Sequence, residues 1–257
     1  MRLLNACIIA FSTYSRIPMP QVEWSKENMR YSICFFPLVG AVLGGLLLLW
    51  RLLCGLFSFG TVLFTAVAAC LPVLVTGGFH MDGYCDTVDA LASCQPAARK
   101  LEILKDSNCG AFAVIRSCVY FLLYAGAFSQ LGASGVCVLA VGYLLSRSLS
   151  GLTVLYFRPA KSGGLAAAFQ EAAQRRAATV VLSLTAAGGA VGMLILSPWL
   201  GAAAALSAGC VFLWYRRMAY KQFGGVTGDL AGYFLTQCEL WMALAVVLMK
   251  GVLSLWS

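Results

Sequence analysis

Acidic side chains are scarce in this chain: ten Asp and Glu stand against eighteen Lys and Arg among 257 residues. Histidine occurs once, at His80, which excludes a histidine-rich zinc site. The eleven cysteines contain no C-x-x-C pair. Scattered mostly through apolar runs, they read as small buried hydrophobes with free thiols, not as zinc ligands or a catalytic thiol. There is no Walker-type phosphate loop and no nucleophile elbow, and no segment points to a haem or a flavin. A soluble domain and a low-complexity linker are also missing, so residues 1–257 read as a single membrane-embedded domain. The formal charge of +8 comes without a basic stripe interleaved with base-stacking aromatics, which argues against nucleic acid.

What is abundant is apolar surface. At 61% hydrophobic and 11% charged residues, the chain cannot cover itself with a polar shell. The apolar stretches are continuous and not alternating, so helices are expected over a barrel, with about 20 residues per crossing. Seven spans are expected: Ile33–Leu56, Val62–Phe79, Ala111–Leu131, Gly135–Tyr156, Thr179–Ser197, Leu200–Tyr215 and Leu235–Leu255. The early piece Leu3–Phe11 is too short to span. It reads as an interfacial or re-entrant helix kept in the mature protein, with a signal peptide as the alternative. The fold class is therefore an all-α polytopic bundle. Gly40, Gly44 and Gly45 in the first span, and Gly188, Gly189 and Gly192 in the fifth, offer small surfaces for helix packing.

These spans place sixteen of the eighteen Lys and Arg on one side, leaving only Arg51 and Lys250 on the other. By the positive-inside rule the N-terminus and the long loops are cytoplasmic and the C-terminus lies outside. The basic excess also favours anionic membrane lipid. All ten acids, Glu239 included, fall on the cytoplasmic side, and "TGGFHMDGYCDTVDAL" (Thr76–Leu91) gathers Asp82, Asp86 and Asp89 just past the second span. In a helix, offsets of four and three put these on one face, with neighbouring Cβ atoms about 5–6 Å apart. At an effective dielectric near 20, each close pair repels by roughly 3 kcal/mol. A positive partner is called for. Arg99, Lys100 and Lys105 could supply it as a structural network, or a hard divalent cation such as Mg²⁺ could.

Glu102 and Asp106 repeat the four-residue spacing and read equally well as an ordinary solvated helix face. "GGVTGD" (Gly224–Asp229) fits either a phosphate-binding loop that brings in Asp229 or a turn capped by Thr227 or Asp229. Arg147, inside the fourth span, can snorkel or clamp a phosphate, and Arg158 and Lys161 lie at the same level. Carboxylates, basic groups and a glycine loop thus converge on one membrane face, a composition suited to metal-assisted transfer at a phosphate.

These stretches, with "AFSTYSRIPMP", "FFPLVGAVLGG", "EILKDSNCGAF" and "GGVTGDLAG", resemble the cobalamin synthase family, the membrane adenosylcobinamide-GDP ribazoletransferases, almost from end to end. The family pattern usually has glycine at Ala90, arginine at Asn108 and a further glycine near Ala113, so phosphate binding is not carried over to Asn108. The resemblance implies that α-ribazole, or its 5′-phosphate, displaces GMP from adenosylcobinamide-GDP with Mg²⁺ present, completing the nucleotide loop of vitamin B12. It implies a bacterial inner-membrane location. The catalytic set would be Asp82, Asp86, Asp89, Glu102 and Asp106, with Asp82, Asp86, Asp89 and Asp106 holding metal. Lys105, Arg147, Arg158, Gly224, Gly225, Thr227 and Asp229 would bind the substrate. Two rivals differ in pattern. A CDP-alcohol phosphotransferase would need an alanine-arginine pair soon after Asp82-Gly83, and a cation transporter would need acids through the depth of the bilayer. A homo-oligomer stays open.

Overall fold

The computed structural model describes residues 2–106, 108–161 and 163–256. Ser107, part of the lysine-aspartate-serine stretch, lies outside them. Among the described residues the chain is helical without a strand; one isolated bridge joins Pro159 to Val226. The helices are α1 (Arg2–Tyr14), α2 (Lys26–Met29), a 3-10 turn (Ser32–Phe35), α3 (Phe36–Leu56), α4 (Thr61–Thr76), α5 (Phe79–Ala92) and α6 (Ala97–Ile103). There follow α7 (Ala111–Gln130), α8 (Ala133–Tyr156), α9 (Leu165–Ala172), α10 (Arg175–Leu196), α11 (Pro198–Phe223) and α12 (Gly228–Ser254).

Six segments are long and apolar enough to cross a membrane, and the bent pair α4–α5 makes up to seven. That is the expected bundle. The connections Phe57–Gly60, Leu131–Gly132 and Ser197 are short and lie together at one end. The helices α1, α2, α5, α6 and α9 crowd the other. The first helix does not span: its thirteen residues bury Ile8, Ile9 and Phe11 within the bundle.

Helix α8 forms the centre, packed against α3, α10, α11 and α12. Its contact with α3 is backbone-close, since a Cβ on Gly40 or Gly44 would strike the Tyr143 or Ala140 carbonyl. Gly45, expected to pack as well, has open space beside it.

Of two ionisable residues inside the bundle, Glu239 departs from its expected level and Arg147 keeps it. The last helix starts at Gly228, seven residues before the expected span, so Glu239 lies roughly 16 Å along it instead of at its cytoplasmic end. Arg147 lies roughly 14 Å before the end of α8. They meet inside the bundle: Arg147 Nη1 donates to Glu239 Oε1, with the two side chains 1% and 3% exposed. Ser146 Oγ accepts from the same guanidinium at 2.9 Å, and the Tyr143 ring lies 5.3 Å from it. Such a pair persists because removing one member strands a charge in low dielectric. Arg147→Met should therefore destabilise the detergent-purified protein by about 3–5 kcal/mol. Arg147→Met combined with Glu239→Leu should recover most of that loss, as read by thermal unfolding.

Candidate active site

The bend between α4 and α5 places the acidic stretch. Gly77 and Gly78 take φ of 67° and 84°, a conformation that glycine adopts without penalty, and the two helices diverge by 97°. The turn is pinned from outside, where Arg16 N donates to Val75 O at 2.8 Å. Helix α5 then leaves the line of the crossing and lies across the start of α12. The crossing tolerates no side chain: a Cβ on Gly83 would sit 2.6 Å from Asp229 O, and one on Gly232 would sit 2.9 Å from His80 O. Two glycines, one from each helix, thereby bring Asp82 and Asp86 to Asp229, about 140 residues away in sequence.

Asp82 is exposed, whereas Asp86 and Asp229 are half-buried. Burial, reinforced by the charges of Asp82, Asp229, Asp89 and Asp106, pushes the Asp86 carboxyl up to about 7. The alternative of a structural salt-bridge network is not built here. Arg99 pairs with Glu102 at 2.6 Å on the exposed face of α6, and Lys100 is buried and donates to Gln222 Oε1. Lys105 is exposed and joins no ion pair among the described residues. Among the described residues no cationic side chain pairs with Asp82 or Asp86, and Lys161 acts on the charge of Asp229.

The remaining expected residues separate into distinct roles. Asp89 accepts from Gly110 N at 2.6 Å and from Ala113 N at 2.9 Å, capping the start of α7 with both carboxylate oxygens. A Cβ on Gly110 would collide with that carboxylate. Asp106 accepts from the backbone and side chain of Asn108 at 2.9 and 2.8 Å, bonds that hold its carboxyl below the usual range. It shares an open groove of about 380 Å³ with Asp89. Glu102 points outward with Arg99 and does not join Asp82, Asp86 and Asp229.

Arg147, expected beside a diphosphate, is enclosed with Glu239 and offers no surface to one. Arg158 donates from Nε and Nη2 to Gly224 O at 3.1 and 2.7 Å, closing the end of α11. Gly225 has no room for a Cβ because the Arg158–Ala160 backbone passes over it. Thr227 Oγ1 accepts from Leu230 N at 3.2 Å as the cap of α12 and donates to Asp229 Oδ2 at 3.2 Å. "GGVTGD" is therefore built as a capped turn, which brings Asp229 to the cluster and Thr227 to the edge of a second cavity.

That cavity, about 140 Å³, is lined by Lys161, Gly163, Gly164, Thr227, Gly228 and Asp229 among others. Lys161, noted in the sequence at the level of Arg158, is the cationic residue lining this cavity. The sequence signal for it was the glycine pair at 163–164 just after the lysine and before an apolar helix.

The family model described as cobalamin-5-phosphate synthase matches residues 6–247. An adenosylcobinamide-GDP ribazoletransferase of Lachnoclostridium phytofermentans is 49% identical over 98% of this chain and 97% of its own length. Those of Desulfitobacterium hafniense and Geobacillus thermodenitrificans are 36% and 34% identical, over 90% and 93% of this chain and 92% and 95% of theirs. No solved structure matches. With a match across nearly the whole chain and the acidic helix of the family pattern folded against the glycine turn, the chain belongs to the cobalamin-5-phosphate synthase family.

Proposed function

We propose that this protein joins adenosylcobinamide-GDP to α-ribazole, or to α-ribazole 5′-phosphate, releasing GMP; the relatives it matches carry the name adenosylcobinamide-GDP ribazoletransferase. The observation that carries the reading is the convergence of Asp82, Asp86 and Asp229 at the α5–α12 crossing without a cationic side chain to balance Asp82 and Asp86. Among the described residues, no group of three or more His, Cys, Asp or Glu side chains is placed to hold a metal ion by itself. The donor set instead suits Mg²⁺ bound in the open manner, through one or two carboxylates with substrate phosphates and waters filling the rest. Asp82 and Asp86, one turn apart on α5, would hold it. Asp89 and Asp106 are occupied by the α7 amides and by Asn108. When bound, the cation would neutralise charge on the diphosphate.

The chain's own residues would do the following. Asp82 and Asp86 would hold the cation that offsets the diphosphate charge at the membrane face, where a ribose hydroxyl of α-ribazole would approach the phosphorus attached to the corrinoid side chain. Asp229, across from them, accepts the hydroxyl proton. The new ester bond forms as the bond to the GMP oxygen breaks. The end bearing α1, α5, α6 and α9 faces the cytoplasm and the α12 C-terminus lies outside, in keeping with the distribution of Lys and Arg in a bacterial inner membrane.

Purified protein given adenosylcobinamide-GDP, α-ribazole and Mg²⁺ should release GMP. Asp82→Asn should lower that rate at least a hundredfold with an unchanged unfolding midpoint; a wild-type rate in this variant would refute the assignment. A second expectation follows from Asp86. Its folded-state value lies above its unfolded one, so the native state holds the proton longer. In metal-free protein the stability is fully present below the ordinary carboxylate range and is lost as pH rises to about 7. Thermal unfolding in EDTA should trace this loss, Asp86→Asn should flatten it, and Mg²⁺ added at neutral pH should restore stability to the wild type alone.

A further inference from the structure

The Lys161 cavity shares Asp229 with the acidic cluster, and its other walls carry a high density of unused donors. Helix α9 opens at Gly164, with φ of 90° and no side-chain cap, and its first internal bond runs from Ala168 N to Gly164 O. The amides of Leu165, Ala166 and Ala167 therefore have no helical acceptor, and these three residues line the cavity. Gly228, the first residue of α12, lines it as well, so the starts of two helices border one space. Lys161 stands beside them, half-buried, in no ion pair or hydrogen bond among the described residues.

An independent observation lies deeper. Phe79, Leu165, Ala166 and Gly228 also border a second, smaller cavity of about 30 Å³, so the two spaces adjoin. That inner space is lined by His80 and Ser150, which are 6% and 1% exposed. His80 Nε2 and Ser150 Oγ have no hydrogen-bond partner, a costly condition for buried polar atoms unless something else binds there. The imidazole is held in place by Tyr14, Phe36 and Phe79, whose ring centroids lie 6.1, 6.0 and 5.4 Å away. Asp229 lies on the border between this donor-lined space and the acidic cluster, with Lys161 close enough to act on its charge.

We propose that the joined cavity is a seat for the phosphate of a nucleoside monophosphate, the nucleotide that departs in the reaction. Lys161 and the amides opening α9 and α12 grip the phosphate, while His80 and Ser150 supply donors at its inner end. Which nucleotide occupies it rests on the ribazoletransferase reading. In that reaction the bond from the corrinoid-side phosphorus to the bridging oxygen breaks, and the oxygen departs with the electron pair on GMP. The GMP phosphate gains negative charge in that step, and a seat of donors and one lysine stabilises the charge where it develops. The acidic cluster and this seat would thus stand on opposite sides of the bond that breaks.

The test is equilibrium calorimetry of GMP and of guanosine with full-length protein in detergent and EDTA, without the corrinoid. Wild type should bind GMP at least about tenfold more tightly than guanosine, the order of one charge-assisted contact. Lys161→Met should remove that advantage, Lys161→Arg should keep most of it, and Ser150→Ala should reduce it by about threefold, all with unchanged unfolding midpoints. Equal affinity for GMP and guanosine in wild type, or a GMP affinity indifferent to Lys161→Met, overturns the seat. Turnover separates this from the function itself. GMP release that persists alongside Lys161-independent binding removes the seat alone, whereas Lys161-dependent GMP binding without any turnover keeps the seat and removes the transferase reading.

Discussion

The backbone contact between α5 and α12 is the constraint on which the site depends. Helices normally keep their axes 8–10 Å apart because side chains intervene. Here Gly83 and Gly232 remove the side chains at the crossing, and each faces the other helix's main chain. The approach is what lets Asp82 and Asp86, on a helix that has just left the bilayer, address Asp229 at the beginning of the last span. The bend at Gly77–Gly78 gives α5 the direction needed to make that approach, and Arg16 from the chain after α1 covers the bend. The N-terminal helix therefore supports the acidic site without contributing a carboxylate to it.

Charge is divided by depth and by side. In the bundle interior Arg147 and Glu239 pair with each other and tie α8 to α12, the helix that carries Asp229. At the membrane face the carboxylates of α5 lack that compensation, and the amide-rich cavity with Lys161 lies on the far side of Asp229. Asp89 joins the two levels: by capping α7 it uses an acidic charge to orient a helix, and its residual field still raises Asp86. An enzyme acting on a diphosphate needs such opposed fields, one to hold the substrate's anionic charge through a cation and one to accept charge as the leaving group departs.

The stretches of sequence were informative to different degrees. Apolar runs of membrane length foretold the bundle, and the offsets of Asp82, Asp86 and Asp89 foretold a helix presenting them, because both signals are local. The same local spacing could not tell Asp89 from its neighbours, since its partners, Gly110 and Ala113, come from another helix. Glu102 and Asp106 look alike in sequence, yet one pairs outward with Arg99 and the other folds back onto Asn108. Arg147 and Glu239 were visible as charges inside or beside spans. Only the true start of α12, seven residues earlier than its apolar run suggested, sets them at one depth.

By itself, then, the sequence determined that this is a helical membrane protein with its basic residues gathered at one face, and, through near end-to-end resemblance, the family to which it belongs. Hydropathy and charge asymmetry act through the surrounding bilayer, so no partner segment is needed to interpret them. Tertiary structure alone decided which carboxylates face one another and which cations remain free. Those outcomes turn on where two glycines permit backbones to touch and on which donors lie within about 3 Å of an acceptor, relations between segments far apart along the chain.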